Sequence, residues 1–520
     1  MFHSASSASN VKIASVVIFT QLLIAAIHVH AFTTNSPPSR LNFRKSTFIS
    51  ASKSKSTPKP ISSNDWPDRF PAKEHCSKCG LCETTFVQHV ETSCAFLGEG
   101  MGRIDSLEQE IHGKSRLSNT SGAEGQDLET RFGVMHEDYP IMLVKGTQQK
   151  AQWTGAVTSI AIAMLENNMI DAVVCIASAD DSDRDTRSDD SQLAMPTLEP
   201  QPIIAKTVDD ILRGRGVKPS LAPSLRVLDD IKNDPSIKKL LFCGVGCAVQ
   251  AFRSSDVQEK LGLERVYVLG TNCADNSPTS NATRDFISSG LNVDERELSS
   301  VRGYEFMQDF QVHVKKTIDD VDTYEKIPYF SLPGKIARSS IASSCLSCFD
   351  YTNALADVVV GYMGAPLDDN GEMDSALQTL TVRNDSGREM IEAATRSGLL
   401  SLHGEALGNG PWQEFAVQTV ASDGIVAAMV GKEPKEDGMP RFLGKIMAKI
   451  IKEIGPKGLN FASYSIDYHI LRNYLYTIDQ WGERRAEVSM PQYSKNIVKE
   501  YLDKSKSFSA LKDSIVKKKS

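Results

Sequence analysis

The residues of this chain with the clearest chemical potential are its ten cysteines. Three of them stand at a strict three-residue spacing in the segment CSKCGLC: Cys76, Cys79 and Cys82. Successive thiolates at this spacing can face one iron–sulfur cluster. A second pair, Cys345 and Cys348, lies far downstream in SSCLSC. The spacing therefore predicts metal chemistry, with iron–sulfur as the leading interpretation.

Two other uses of these thiols stay open from spacing alone. A structural zinc ion could be held by two CxxC pairs, Cys76/Cys79 with Cys345/Cys348. That arrangement leaves Cys82 unexplained, together with the thiols of GVGC and GTNC. A disulfide framework needs an oxidising compartment, which the N-terminal sequence argues against. Two further thiols lie in apolar runs and are predicted to be core residues: Cys175 and Cys243.

The first 64 residues differ in composition from the rest of the chain. They contain seven Lys or Arg and no Asp or Glu. The apolar run 13–29 is typical of a signal peptide, and the acid-free Ser/Thr-rich segment after it is typical of a transit peptide. Residues 1–31 are predicted to be a signal peptide and residues 32–64 a plastid transit peptide, with the plastid stroma as the destination.

Removing both segments leaves 51 basic and 65 acidic residues, a net charge of −14. A chain this acidic is not expected to bind nucleic acid. No other apolar run reaches membrane-spanning length, so the rest of the chain is expected to be soluble, with at most peripheral membrane contact. Four apolar residues near the C-terminus stand at helical spacing and are predicted to face the core: Phe442, Ile446, Ile450 and Ile454.

Short apolar runs alternate with helical stretches through the middle of the chain. KLLFCGVG, ERVYVLGTN and ADVVVGYMG each end in a Gly- or Asn-bearing turn, as expected where strand ends line a crevice in an α/β sheet. A helix is predicted over 154–168 and a buried strand over 171–178. GYEFMQDFQVHVKK alternates with a period of two and predicts one antiparallel strand, and residues 112–131 predict a polar surface loop.

These patterns predict an α/β fold: a mixed sheet with helices on its faces, a Cys-rich iron–sulfur segment at the N-terminus and a helical C-terminal extension. The chain has no Walker-type phosphate loop, and no GxGxxG lies between a strand and a helix. Iron–sulfur clusters pass single electrons, and a flavin is the usual converter to two-electron reduction. The helix N-terminus in AQWTGAVTS suits a flavin or its pyrophosphate. An ordinary helix capped by Thr154 fits it equally well.

Several blocks of sequence, in order along the chain, resemble one known family. They are CSKCGLC, GAVTSIAIAMLE, GVGCAVQAFR, GTNCADN and SSCLSCFDYTNALADVVVGYMG. Together they resemble the beta-subunit family of deazaflavin-reducing hydrogenases and dehydrogenases, from about residue 66 to 500. Further blocks, among them AQWTG, YEFMQDFQV and DYHILRNYLY, are similar to the plant and cyanobacterial branch of that family, whose members reduce chlorophyll-type pigments.

The resemblance implies FAD, two [4Fe–4S] clusters, reduced ferredoxin as the donor and a chlorophyll-type macrocycle as the acceptor. It makes eight thiols the pool of cluster ligands: Cys76, Cys79, Cys82, Cys94, Cys247, Cys273, Cys345 and Cys348. Cys94 departs from the ferredoxin motif because no close Cys-Pro supplies the fourth ligand. The candidates for the flavin pocket, matched by motif, are Trp153, Thr154, Gly155, Thr158, Asn272 and Asn353. The leading candidates for a proton donor are His136, Asp309 and Tyr351, followed by Glu305, Asp350 and His469.

The domain order predicted from these blocks has four parts after the presequence. Residues 65–111 form the iron–sulfur segment, and 112–235 a flavin-binding N-terminal family domain with polar insertions. Residues 236–400 form the C-terminal family domain with Cys345 and Cys348, and 401–520 the helical extension.

Three functions remain alternatives at this stage. The first is removal of the hydroxyl from the C7 hydroxymethyl group of a chlorophyll, the second is reduction of the 8-vinyl group of divinyl chlorophyllide, and the third is electron transfer without a substrate. The hydroxymethyl reaction leads. A homo-oligomer is expected, and ferredoxin is expected to dock on basic residues near the first cluster: Lys73, Lys78, Arg103, Lys114 and Arg116.

Overall fold

The structure, a computed structural model, describes residues 75–116, 123–148, 150–178, 199–254, 257–319, 321–367, 373–433 and 437–519. All of these residues lie in one unit that begins at Pro60. The predicted signal peptide (1–31) and transit peptide (32–64), together with Lys73, lie outside the described residues.

Thirteen strands are found among the described residues, and eight of them form the main sheet in the order β11-β1-β10-β9-β5-β4-β2-β3. Their bounds are β1 Met142–Gly146, β2 Ala172–Ser178, β3 Pro200–Ala205, β4 Lys239–Gly244, β5 Arg265–Thr271, β6 Val301–Phe306, β7 Gln311–Ile318, β8 Val321–Pro328, β9 Val358–Gly361, β10 Gln378–Val382, β11 Leu400–Glu405, β12 Gly408–Asn409 and β13 Lys457–Gly458. β6, β7 and β8 make a separate antiparallel sheet, and β12 pairs with β13.

The centre of the main sheet is parallel and both of its faces are covered. β2, β4, β5 and β9 pair in parallel, while β3, β10, β1 and β11 are added in antiparallel pairings. Side chains alternate between two cores, as a strand's period of two requires. In β4, Leu240 and Phe242 pack into one core and Leu241 packs into the other. The continuous apolar runs of the sequence reflect this burial on two sides.

Helices supply both outer layers and the C-terminal region. Their bounds are α1 Val90–Ser93, α2 Ile104–His112, α3 Ala123–Phe132, α4 Ala156–Glu166, α5 Val208–Arg213, α6 Leu228–Asn233, α7 Gly246–Ser254, α8 Val257–Leu261, α9 Ser280–Asp285, α10 Ile336–Ser340, α11 Asp385–Arg396, α12 Gln413–Ser422, α13 Gly424–Met429, α14 Arg441–Ile454, α15 Leu459–Trp481, α16 Glu483–Ser489, α17 Gln492–Lys504 and α18 Lys506–Lys519. The α/β fold predicted from the sequence is confirmed.

The finer predictions had mixed outcomes. The helix predicted over 154–168 is α4, and the strand predicted over 171–178 is β2. GYEFMQDFQVHVKK is two strands, β6 and β7, because the chain turns back between Met307 and Phe310, where Phe310 has a φ of 59°. The prediction of a loop over 112–131 was wrong in its second half, which forms most of α3.

The long helix α15 is the centre of the C-terminal region. Most of its side chains are buried, because α12, α13, α16, α17 and α18 pack around it. Four apolar residues of α14, Phe442, Ile446, Ile450 and Ile454, were predicted to face the core. This prediction was wrong for the first two, since Phe442 and Ile446 are exposed. Within the described residues, no helix combines the length and apolarity needed to cross a membrane.

Candidate functional site

The C-terminal edge of the main sheet gathers most of the candidate site residues. β1 runs in the same direction as β9 because two antiparallel pairings separate them. Cys247 follows β4, and Asn272 and Cys273 follow β5. Tyr362 follows β9, and the loop that carries Trp153 follows β1. Open α/β sheets bind ligands at this edge, so the topology alone marks it as the candidate site.

Four thiols of the N-terminal segment form the first cysteine group: Cys76, Cys79, Cys82 and Cys94. Burial, with smaller contributions from the charges of the other three thiols, raises the pKa of Cys79 to about 12. Burial likewise raises the pKa of Cys82 to about 11, with added repulsion from Cys94 and Cys76. Mutual repulsion of this kind requires short separations, so Cys94 joins the three thiols of CSKCGLC.

The loop that holds the first group depends on backbone contacts. Gly80 has a φ of 91°, and a Cβ atom there would lie 2.9 Å from the backbone nitrogen of Arg226, so glycine is required. The Cys79 carbonyl accepts a hydrogen bond from Leu225 N (2.8 Å). Arg103 donates to the carbonyl of Cys94 and to that of Leu97. These contacts fix the positions of the thiols on the body of the protein.

The other four candidate thiols form the second cysteine group: Cys247, Cys273, Cys345 and Cys348. Burial raises the pKa of Cys348 well above its usual value, and the charges of the other three thiols contribute. The charge of Cys79 also acts on Cys247, so the two groups are neighbours. All four thiols line one cavity.

Side chains of α15 and of the loop after β5 hold the second group in place. Asn473 donates hydrogen bonds to the carbonyls of Cys345 (2.8 Å) and Cys348 (2.6 Å). Arg472 makes a bidentate pair with Asp275 at 2.9 Å for each bond. Asn276 Nδ2 lies 3.4 Å from the sulfur of Cys273. Helix α15 therefore holds the backbone of the loop that carries Cys345 and Cys348.

The grouping bears on which metal centre these thiols suit. Each group offers four thiols, the donor set of a [4Fe–4S] cluster. The zinc alternative needs Cys76/Cys79 beside Cys345/Cys348, but the two pairs belong to different groups. Across the part of the chain that is described, no three His, Cys, Asp or Glu side chains converge as a single metal ion requires. The thiols of each group are the donor type that an iron–sulfur cluster takes.

The two remaining cysteines lie apart from these groups. Cys175 and Cys243 stand on the neighbouring strands β2 and β4. Burial raises the pKa of Cys243, and the charge of Cys175 makes a smaller contribution in the same direction. Both are half-buried.

The flavin candidates Trp153, Thr154 and Gly155 form the turn before α4. Trp153 has a φ of 54°, and its ring stacks on Tyr362 with the centroids 4.5 Å apart. Thr154 Oγ1 accepts a hydrogen bond from Gly146 N (2.9 Å). Gly155 has a φ of 70° and directly precedes α4. Thr154 therefore ties the turn to the end of β1 and is not the cap residue of α4.

The N-terminus of α4 is partly occupied by protein acceptors. Gly155 N donates to the carbonyl of Gln152 (3.1 Å), and Ala156 N donates to Gln378 Oε1 (3.3 Å). Gln378 begins β10, whose N-terminus meets the same edge of the sheet. The N–H groups of Gly155 and Ala156 are therefore already bonded to protein acceptors. Thr158 is half-buried on α4 itself.

Asn272 and Asn353 lie where β4, β5 and β9 end. Asn353 has a φ of 55°, and its Nδ2 donates to the carbonyls of Gly244 (2.8 Å) and Thr271 (3.4 Å). Its Oδ1 is buried and accepts no hydrogen bond from the residues that the structure describes. Asn272 approaches Gly361 so closely that a Cβ on that glycine would clash with it. This crevice offers an unused acceptor to a polar ligand such as a flavin.

Glu305 is the carboxyl group that the structure brings to this edge. It lies 8% exposed on β6 and accepts a hydrogen bond from Gln152 Nε2 (3.0 Å). Burial raises its pKa to about 7, against the opposing effect of hydrogen bonds from Tyr362, Gln152 and Trp153. A buried carboxyl that titrates near neutral pH beside a stacked aromatic pair can act as a general acid.

Tyr351 lies between Glu305 and the second cysteine group. Burial raises the pKa of its hydroxyl, and the charges of Cys273 and Glu305 both contribute. Its ring is 5.4 Å from that of His469, which lies 3.1 Å from the carbonyl of Ala274. Cys273 N donates a hydrogen bond to the carbonyl of Tyr351 (3.0 Å), so Tyr351 adjoins the second group.

Two other proton-donor candidates, Asp309 and His136, each form a pair with another side chain. Asp309 bonds to His313 at 2.8 Å. Burial by itself would raise the pKa of Asp309, but the hydrogen bond and charge of His313 hold it below its usual value. His136 lies 3.4 Å from Asp385, at the start of α11. Neither makes a recorded contact with Glu305 within the described ranges, whereas Asp350 lines the cavity of the second group.

The expected basic docking patch is not a single exposed surface. Arg116 is buried and paired with Glu108 (2.6 Å), and Arg103 is committed to backbone carbonyls. Lys114 pairs with Glu129 at 3.6 Å. Lys78 is exposed. The prediction failed for Arg116 because sequence proximity to a cysteine says nothing about which way a side chain faces.

Comparison with known proteins identifies relatives of this chain. Residues 143–229 match the N-terminal part, and residues 237–406 the C-terminal part, of the family described as coenzyme F420 hydrogenase/dehydrogenase, beta subunit. The chain is 43% identical to "7-hydroxymethyl chlorophyll a reductase, chloroplastic" of Oryza sativa subsp. japonica, over 84% of this chain and 86% of the relative. It is 38% identical to the uncharacterized protein all1601 of Nostoc, over 83% of this chain and 95% of the relative.

A solved chain of the F420-reducing [NiFe] hydrogenase complex from Methanosarcina barkeri is 18% identical, with a TM-score of 0.43, over 66% of this chain and 94% of that chain. The family assignment rests on the sequence relatives. Because both sequence relatives match more than four-fifths of it at 38% identity or more, the chain belongs to the coenzyme F420 hydrogenase/dehydrogenase beta-subunit family, in the branch that contains the rice reductase.

Proposed function

We propose that this chain is an oxidoreductase that reduces a chlorophyll-type pigment, with 7-hydroxymethyl chlorophyll a as its substrate. The observation that carries the proposal is the placement of the second cysteine group, the stacked rings of Trp153 and Tyr362, and the buried carboxyl of Glu305 at one edge of the main sheet. It joins an electron source to a proton source at the ligand-binding edge of the sheet. The 43% identity to the rice reductase supports the choice of substrate.

The cofactors proposed are two [4Fe–4S] clusters and FAD. The first cysteine group would hold one cluster and the second group the other. The crevice with Asn272 and Asn353, and the turn with Trp153, Thr154 and Gly155, would hold the flavin. When bound, a flavin accepts single electrons and delivers them in pairs, which reduction at carbon requires.

The protein's own groups would supply the proton and exclude water. Conversion of a hydroxymethyl group to a methyl group takes up two electrons and two protons, breaks the C–O bond and releases water. Glu305 is proposed to protonate the departing hydroxyl, because a neutral carboxyl near pH 7 can donate while buried. Tyr362 and Gln152 would keep its Oε atoms oriented toward the substrate.

The electron donor proposed is reduced ferredoxin, and the location proposed is the plastid. No dinucleotide fingerprint is present in the sequence, which favours a protein donor over NADPH. The name of the rice relative, a chloroplastic reductase, supports the location.

The test is an anaerobic assay of the reconstituted protein with reduced ferredoxin. 7-Hydroxymethyl chlorophyll a and divinyl chlorophyllide are offered separately, and products are separated by chromatography. We expect faster turnover of the hydroxymethyl pigment. Faster reduction of the 8-vinyl group would replace the proposed substrate, and reduction of the flavin without consumption of either pigment would indicate an electron-transfer subunit.

A further inference from the structure

Helix α14 has one face against the protein and one face in solvent. Gly444, Met447 and Ala448 are buried, and a Cβ on Gly444 would lie 3.0 Å from Pro328, at the end of β8. Arg441 anchors the start of the helix through Glu325 (2.9 Å) and the carbonyl of Leu291 (2.8 Å). The orientation of the helix on the protein is therefore fixed.

Two large apolar side chains lie on the solvent face. Phe442 is 66% exposed and Ile446 is 52% exposed. Residues four apart are neighbours on a helix surface, so the two side chains form one continuous apolar patch. Isolated exposed apolar residues are ordinary, but adjacent ones on a helix fixed in this way call for a partner.

Three lysines share the solvent face with this patch: Lys445, Lys449 and Lys452, all of them exposed. Within the described residues no ion pair is recorded for any of the three, although the chain as a whole carries a net charge of −7. The exposed Glu453 shares this face, so three lysines and one glutamate give it a net charge of +2 beside the apolar patch, on an acidic protein. A helix with these two properties is suited to the interface between lipid headgroups and acyl chains.

We propose that the solvent face of α14 is a membrane-docking surface that binds an anionic lipid bilayer. Phe442 and Ile446 would enter the interface, and the lysines would contact anionic headgroups. A symmetric contact with a second copy would bring like charges together. An acidic protein partner would be attracted by the lysines but would leave the phenyl ring and the isoleucine unexplained.

The position of α14 connects this surface with the candidate site. The helix packs on the turn Tyr329–Ser331. The ring of Tyr329 lies 5.2 Å from that of Phe306, the residue after Glu305, and its hydroxyl donates to the carbonyl of Met307 (2.7 Å). A bilayer bound at α14 would lie against a wall of the region that contains Glu305. The docking inference itself rests on the helix and not on the proposed function.

The test is co-sedimentation with vesicles of phosphatidylcholine alone, or of phosphatidylcholine and phosphatidylglycerol in equal parts. The full chain is used, and the chain from Pro60 is used beside it because the apolar run 13–29 can itself bind lipid. We expect binding to the anionic vesicles only, lost with added salt. Phe442→Ser/Ile446→Ser should weaken it at least tenfold, and Lys445→Gln/Lys449→Gln/Lys452→Gln should abolish the preference for anionic vesicles.

The matched control replaces three lysines of the C-terminal helices, Lys499→Gln/Lys504→Gln/Lys506→Gln, and should bind as the parent chain does. In Phe442→Trp, brominated lipid should quench the tryptophan fluorescence that this substitution adds to that of the parent chain. Vesicle binding that is unchanged in the α14 variants would overturn the proposal. So would a halved particle mass in the Phe442→Ser/Ile446→Ser variant with intact vesicle binding, which would mark a contact between copies. Turnover of detergent-dispersed pigment should survive in these variants, which separates this test from that of the proposed function.

Discussion

At the scale of single residues, Glu305 shows two opposing physical effects on one carboxyl group. Burial in a nearly dry environment disfavours the charged form, whereas hydrogen bonds from Tyr362, Gln152 and Trp153 favour it. Burial prevails, and the pKa of Glu305 is about 7. The group is therefore largely protonated below neutral pH and largely charged above it.

This titration predicts a pH dependence of turnover. If the neutral carboxyl donates the proton, activity should fall as the pH rises through about 7. Glu305→Gln removes both the proton and the titration, so kcat should fall by about a hundredfold or more and the alkaline limb should disappear. The measurement is the pH profile of kcat for the parent chain and the variant.

Two checks keep this prediction sharp. Flavin and iron contents of Glu305→Gln should equal those of the parent chain, because glutamine can still hydrogen-bond to its neighbours. Glu392→Gln, on the half-buried pair with Arg388, should leave the profile unchanged. An alkaline limb that persists in Glu305→Gln would assign the titration to another group.

The two cysteine groups predict which thiols share a cluster. Cys82→Ser should remove one cluster and Cys345→Ser the other, because serine is a poor ligand for iron. Each variant should keep about half of the iron and show the electron paramagnetic resonance signal of one remaining cluster. Cys175→Ser lies outside both groups and should keep all the iron. Two variants with the same residual signal would contradict the grouping.

The family resemblance implied all eight thiols as cluster ligands, which stays a prediction, and it did not imply how they divide. Cys76, Cys79 and Cys82 are local, so their spacing alone associates them. Cys94 is brought beside them by α1, and Cys247 meets Cys273 because β4 and β5 are neighbours in the sheet. Tyr362 was missed for the same reason. The signal that could have found it is its position directly after Gly361, the glycine that ends the buried strand β9.

At the scale of elements, α15 organises the C-terminal half through polar contacts as well as apolar ones. Asp467 is fully buried and accepts hydrogen bonds from Arg131 (2.9 Å), Trp412 (3.2 Å) and Tyr501 (2.7 Å). These partners belong to or adjoin three different helices, α3, α12 and α17. One carboxylate therefore fixes how three elements pack on α15.

Replacing this carboxylate should be costly. Asp467→Ala removes the charge that faces the buried guanidinium of Arg131 and the acceptor of two further donors. The free energy of unfolding should fall by about 3 kcal/mol or more. Asp503→Ala, at an exposed position on α17, should change it by less than about 0.5 kcal/mol. Chemical denaturation under anaerobic conditions measures both, and equal values for the two variants would rule out this role.

Element types were predictable where one physical signal dominated. The buried run of β2 and the apolar run of α4 were found within two residues. The turn between β6 and β7 was missed because Phe310 adopts a left-handed conformation that its residue type does not favour. The apolar residues of α14 were misassigned at Phe442 and Ile446 because helical spacing shows that residues share one face of a helix. It does not show whether another element covers that face.

At the scale of the whole molecule, the two cysteine groups join parts of the chain that are far apart in sequence. The first group lies in a segment that is fastened to α15 by the hydrogen bond between His75 and Tyr476 (3.0 Å). The second group joins the ends of β4 and β5 to the loop that carries Cys345 and Cys348. Clusters held there would cross-link the sheet, the N-terminal segment and the helical region.

Removal of the iron should therefore destabilise the whole protein and not only its redox function. Burial raises the pKa values of Cys79, Cys82 and Cys273 to about 11 or 12, so without metal these thiols stay protonated and no longer act as cross-links. Because the free energy of cluster binding adds to that of folding, the apoprotein should have a lower Tm.

The order of the loss follows from exposure and attachment. The first group lies on a short segment of one-turn helices and loops, whereas the second lies beneath α15. Limited proteolysis after anaerobic chelation should cut first within residues 75–103 and only later within 340–350. Cys82→Ser should show the first cleavage without chelation, and Cys345→Ser should not. If the Tm and both cleavage rates were the same with and without iron, the clusters would contribute nothing to the stability of the fold.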